Sequence, residues 1–209
     1  MQRRYLSRPT DPIRLRDATT PGALPTIVGY AAVFYDPADP GTEFRLWGDV
    51  YERIMPTAFN SALARKDDVR GLFNHDASAI LGRSPANTLR LFVDARGLRY
   101  EIDPPNTEVG RSVVESVRRG DVTGSSFAFL PTAEMDREEG EKRLIEVHDC
   151  ELFDVGPVTY PAYAGTAAGV RAADGEAAAT RRRWEARRGA ADRDRLTLDL
   201  LVMEAAAAD

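Results

Sequence analysis

The sequence predicts a mainly β fold of the α+β class: a small closed or partly closed β-barrel of about seven strands, with helices packed outside. Three observations predict it. Short runs rich in β-branched and aromatic residues recur along the chain, separated by turn-rich breaks. Only two internal segments carry an apolar stripe at helical spacing. A chain of 209 residues is long enough for one well-buried domain with tails.

The elements follow in order. Residues 1–26 are rich in arginine and proline without a sustained period, and read as a mobile arm that joins the fold only near its end. The fold proper begins at "TIVGYAAVFY", Thr26 to Tyr35, closed by the turn-rich "DPADPGT". A second extended run, Phe44 to Ile54, leads into a short helix in "MPTAFNSALARKDD". There Pro56 suits an early helical position, and Met55, Phe59 and Leu63 recur every four residues. "VRGLFNHD" is a short strand ending in a polar cluster. "NTLRLFVD" and "GLRYEID" alternate cleanly around "DARG" and predict a hairpin. Thr107 to Arg119 is the best helix: Val109, Val113 and Val117 form its stripe, Asn106 or Thr107 caps it, and Gly120 stops it. Then come "TGSSFAFLP", a charged tip "EMDREEGEK", and the strands "RLIEVHDCELFDV" and "GPVTYPAY". The folded domain is therefore expected over 27–168. Residues 169–209, rich in alanine and arginine, read as a separate tail that can be helical.

Composition narrows the function. No apolar run approaches the ~20 residues that cross a bilayer, and the basic start lacks an apolar stretch after it, so neither a membrane protein nor a secretory signal is expected. Action in a reducing cytoplasm follows. A net charge of −5 argues against a nucleic-acid surface, which needs a basic field. Cys150, the single cysteine, excludes an internal disulfide and any multi-cysteine metal site. Its alternating setting, "EVHDCELF", reads as a buried strand position rather than a thiol nucleophile.

The chemistry concentrates in "GDVTGSSFAF". No G-x-S-x-G elbow occurs anywhere in the chain. If Phe127 and Phe129 point inward, Ser125 shares their side and Ser126 lies on the other, which makes Ser126 the accessible hydroxyl. Gly124 leaves room for backbone approach or an oxyanion pocket. The plain alternative is that "TGSS" caps a strand. A serine needs a base, usually a histidine held by a third polar group. His75 in "LFNHDAS" stands at a strand end, where catalytic groups are common, although a solvated turn histidine would look the same. His148 and Asp154 fall on one face of "IEVHDCELFD", so alternation does not choose between them as the third member. A metal-dependent hydrolase using His75, Asp76, His148 and Asp149 is the weaker alternative, since no H-E-x-x-H spacing exists.

Six blocks in order carry a resemblance: "GYAAVF", "ERIMPTAF", "VRGLFNHD" with "LGR", "TLRLFVDARGLRYEID", "RGDVTGSSFAF" and "LFDVGPVTYPAY". From about Ile27 to Thr166 the chain resembles the prohead proteases of tailed bacteriophages of the HK97 type, which are distantly similar to the herpesvirus capsid-maturation proteases. The resemblance implies a herpesvirus-protease-like fold and a serine endopeptidase. It maps the nucleophile onto Ser126, the histidine onto His75 and the acidic member onto Asp154. His148 stays the alternative, because the herpesvirus enzymes use a second histidine. The chain departs from the family where Thr57 replaces a frequent glycine, Asp154 a frequent glutamate and Gly156 a frequent serine.

What the resemblance implies further is acyl transfer without a cofactor or metal. Arg83 is a candidate oxyanion contributor, with a surface role as its alternative. The substrate would be the major capsid protein's N-terminal extension or a scaffold segment, and also the chain itself, inside an assembling prohead in the host cytoplasm. Self-association is left open, and neither nucleic acid nor membrane is an expected partner. The tail would be a scaffold-like helix or self-cleavage region that targets the enzyme to the shell, with a disordered, solvated tail as the plain alternative. A catalytically inactive assembly or scaffolding protein of the same fold would share every block.

Overall fold

A computed structural model describes residues 2–5, 12–18 and 20–160; the expected tail 169–209, with its helix, and the end of the last sequence block lie outside them. The described elements run β1 (Gln2–Tyr5), β2 (Arg14–Arg16), β3 (Thr26–Val33), β4 (Glu43–Trp47), β5 (Val50–Ile54) and α1 (Asn60–Arg65). They continue with β6 (Arg70–Leu72), β7 (Ile80–Arg83), β8 (Leu89–Val93), β9 (Gly97–Ile102), α2 (Glu108–Arg119), β10 (Gly124–Glu139) and β11 (Lys142–Val158). The fold is mostly β with a few helices, built on two sheets, and no closed barrel is found among the described residues.

The first sheet is organised by one long antiparallel hairpin, β10 and β11, which turns at Gly140 with φ 61°. The charged "EMDREEGEK" is thus mostly strand, and only its end forms the turn. The other edge of β11 is shared by two parallel partners: β5 along Arg143–Val147, then β6 at Asp154–Val155. A parallel pair needs a crossover connection, and α1 lies between β5 and β6 in the chain. β1 pairs with the free edge of β10, while β4 extends β5 and β7 extends β6. The second sheet has the order β2-β3-β9-β8, with the expected β8–β9 hairpin.

The two sheets meet where β9 and β10 join side chains across β3. A Cβ on Gly29 of β3 would lie 2.7 Å from Tyr100 Oη and 3.0 Å from Ser125 Oγ, so the missing side chain makes room for the buried 2.9 Å hydrogen bond between those two hydroxyls. Burial pushes the Tyr100 phenol up, which keeps it neutral. Between the sheets, Phe127 meets Phe59 edge-on at 5.7 Å and stacks on Phe129 at 4.9 Å. Such ring pairs contribute about 0.5–1.5 kcal/mol each beyond area burial, and they fix which way β10 faces. On the second sheet, Arg16 of β2 reaches Glu101 of β9 in a forked pair at 2.7 and 2.8 Å. That pair is the largest cause drawing the Glu101 carboxyl down to about 2.

Both helices differ in detail from expectation. α1 begins at Asn60, after turns that include Pro56, and ends where Lys66 adopts φ 58°. It buries Ala62, with Phe59 fully buried just before it. α2 has the expected ends: Thr107 Oγ1 accepts from the Gly110 N–H, and Gly120 stops the helix at φ 79°. Its buried face is Gly110, Val113, Val114 and Val117, while Val109 is 37% exposed. Gly110 turns inward because its Cα packs against the Pro105 carbonyl, where a Cβ would sit 2.0 Å from the oxygen. Val113 and Val117 keep the expected stripe, and Gly110 takes the place expected for Val109.

Candidate active site

Three neighbouring strands of the first sheet each bring one polar residue to a common point. Ser126 lies on β10, Asp154 on β11, and His75 on the turn that follows β6. Ser126 is opposite Gly156, and Ala128 is opposite Asp154. Cross-strand partners share a face, so the carboxylate stands diagonally from the serine on the same side of the sheet. His75 bridges them. Its Nδ1 is 2.5 Å from Asp154 Oδ1, and its Nε2 contacts Ser126 Oγ. With the proton on Nδ1, the ring donates to the carboxylate and accepts from the serine hydroxyl.

Alternation on β10 held, and exposure did not. Ser125 faces Tyr100 and Ser126 faces His75, as opposite faces require, yet Ser126 is 0% exposed and Ser125 4%. The expected accessible hydroxyl is buried because the His75 turn covers one face of β10, the aromatic core covers the other, and β1 and β11 fill its two edges. His75 and Asp154 are also enclosed, with side chains 2% and 7% exposed.

On β11 a bulge decides the geometry. Leu152 pairs with Phe129 and belongs to the core; the register slips at Phe153, and Asp154 pairs with Ala128. The extra residue turns Asp154 away from the core face of Leu152 and onto the face of Ser126.

The His75 turn is held in an unusual backbone state. Asn74 and His75 both have left-handed φ, 56° and 58°. That conformation costs about 1–2 kcal/mol for an L-residue, least for asparagine. Hydrogen bonds to the end of β11 offset it: Asn74 N–H donates to Pro157 O at 3.0 Å, and Asn74 Oδ1 accepts from Thr159 N–H at 2.9 Å and Thr159 Oγ1 at 3.2 Å. Neither Asn74 nor Thr159 was singled out from sequence, although asparagine's tolerance of the left-handed region beside a histidine was a usable signal.

Gly156 sets the distance between β6 and β11. A Cβ there would lie 2.0 Å from the Leu72 carbonyl oxygen, three residues before His75. Any side chain must push β6 away, and His75 with it. We expect Gly156→Ala to lower any turnover that depends on His75 about 10²-fold, the usual penalty for moving a group by about 1 Å. Burst-corrected kinetics beside a thermal melt would check this, since a loss of stability alone leaves kcat per folded molecule unchanged.

The other sequence candidates lie elsewhere. His148 is six residues before Asp154, with Nε2 3.4 Å from Glu146 Oε2. Arg83 forks onto Asp68 at 2.8 and 2.6 Å, a surface pair. Asp76 accepts from the Ser78 N–H and hydroxyl at 2.8 and 2.6 Å, and Asp149 accepts from Thr132 at 2.9 Å. Among the described residues no group of three His, Cys, Asp or Glu side chains could hold a metal ion. Cys150 is buried, its thiol donates to Ala58 O at 3.2 Å, and burial pushes it up to about 12. No helix among the described residues is long and apolar enough to cross a membrane.

A family model described as caudovirus prohead serine protease matches residues 12–181. No curated protein and no solved structure is matched.

Proposed function

We propose that this chain, which belongs to the caudovirus prohead serine protease family, is an endopeptidase of capsid maturation acting through Ser126, His75 and Asp154. The observation that carries the reading is the continuous contact from the Asp154 carboxylate through His75 to the Ser126 hydroxyl. His75 Nε2 takes the hydroxyl proton as Ser126 Oγ attacks a peptide carbonyl, and the same proton passes to the leaving amine. Water then attacks the acyl-enzyme by the reverse route and restores the serine. Asp154 holds the proton on Nδ1 and stabilises the imidazolium while it lasts.

The substrates in this reading are the scaffold or the N-terminal extension of the capsid protein, and the chain itself, inside the assembling prohead in the bacterial host. The protease domain spans 27–168. Residues 1–26 form an N-terminal arm whose strands pair onto that domain, and 169–209 form the tail that brings the enzyme to the shell.

One experiment tests the catalytic reading. A fluorophosphonate should label the native protein once, at Ser126 by peptide mapping, and chelators should leave the labelling unchanged; absence of any label would overturn the reading. Complete burial of Ser126 favours a second one, an inactive assembly protein of the same fold. Co-expression with the capsid protein separates the two: processing that persists with Ser126→Ala would establish the second.

A further inference from the structure

β10 presents Ser126 with two backbone edges. β11 fills one, and the other pairs with Gln2–Tyr5 in an antiparallel register that sets Gln2 opposite Phe129, Arg3 opposite Ala128, Arg4 opposite Phe127 and Tyr5 opposite Ser126. β1 joins the sheet by completing this ladder, so the pairing shows what the edge accepts: extended polypeptide. It also lies at the one place where an extended substrate would bring a carbonyl alongside Ser126. The hydroxyl itself is 0% exposed, so no peptide reaches it in this arrangement.

We infer that the outer edge of β10, Ser126–Phe129, is a docking edge for an extended peptide, and that Gln2–Tyr5 occupies that edge in cis until another strand displaces it. The inference rests on Ser126 being the nucleophile only for its consequence on cleavage; the docking itself is a backbone event. An exposed strand edge recognises a partner mainly through main-chain hydrogen bonds, so the occupant is defined by being extended and unpaired. A flexible terminal extension of another chain meets that requirement, and a folded domain does not. The arm thereby competes with substrate at an effective concentration set by its short tether, typically in the millimolar range. It keeps the protease latent until substrate is locally concentrated.

The test uses the full chain with Arg3→Pro and Arg4→Pro together. Proline has no backbone N–H, and with neighbouring positions replaced, one falls where the ladder needs a donor whichever way the register alternates. Backbone amide exchange is read in a Ser126→Ala background, so that self-cleavage cannot intrude. Exchange within 126–129 should quicken at least about tenfold, while Leu98–Ile102 in the second sheet stays protected and shows that the fold is intact. A fluorescent synthetic peptide of residues 1–11, added in trans, should bind the double variant, restore protection at 126–129, and bind the chain with its unsubstituted arm far more weakly. Unchanged exchange at 126–129, or a peptide that fails to bind the variant, would overturn the inference. With the native serine present, the double variant should react several-fold faster with the fluorophosphonate. A chain that shows the exchange and binding results but never labels at Ser126 keeps its docking edge and loses the catalytic assignment.

Discussion

Ser126→Ala is expected to lower peptide-bond turnover by about 10⁶-fold, the scale seen when an activated serine is removed from a working nucleophile-base unit. Ser125→Ala is expected to leave the chemistry largely in place. The two substitutions delete the same atom from adjacent residues, both almost fully buried, so they differ only in what that atom touches. Ser126 Oγ contacts His75 Nε2, and in the proposed reaction its loss removes the attacking atom. Ser125 Oγ holds the Tyr100 hydroxyl at 2.9 Å between the sheets. Its loss leaves a buried phenol without that partner, a cost of about 1–3 kcal/mol in stability. One neighbour should therefore lose activity while melting nearly as before, and the other should melt lower while its folded fraction still reacts. Turnover per folded molecule, measured by mass spectrometry of a cleaved capsid segment, reads the difference. The reverse pattern, with labelling lost in Ser125→Ala and kept in Ser126→Ala, would move the nucleophile.

What the sequence allowed and what it withheld divide along a physical line. Local signals were sound: the β8–β9 hairpin alternates where it should, α2 starts at Thr107 and stops at Gly120, and Ser125 and Ser126 face opposite ways. Errors arose wherever a tertiary contact overrode a period. Val109 lost its place in the α2 stripe because Gly110 packs against Pro105. The choice between His148 and Asp154 stayed open under alternation because alternation assumes an unbroken strand, and the slip at Phe153 breaks β11 just before Asp154. Accessibility of Ser126 depended on the His75 turn folding over β10, and the pairing of Gln2–Tyr5 with β10 is a non-local contact. Neither leaves a mark in local composition. The approach of the two sheets at Gly29, where Tyr100 and Ser125 fill the space a side chain would take, is likewise a long-range fit that local pattern does not show.

Asp154→Asn should reduce kcat about 10⁴-fold while leaving the fold and KM little changed, since the amide keeps the shape of the carboxylate and reverses its hydrogen-bonding choice. An asparagine nitrogen facing His75 Nδ1 is a donor, so the ring must accept there and carry its proton on Nε2. That tautomer points a donor at Ser126, and the base is lost. His148→Ala is the matched control: its ring meets Glu146, and turnover should stay within about threefold of the native value. Asp154→Glu probes reach. The Asp154 side chain is buried and its carboxylate already 2.5 Å from Nδ1, so an extra methylene has no space unless β6 retreats, and β6 is held close by the absence of a side chain at Gly156. The short carboxylate and the glycine two residues on both suit a close β6. Gly156→Ser made together with Asp154→Glu should then recover activity that either change alone loses. A double variant no better than the product of the two single losses would show that the two positions are independent.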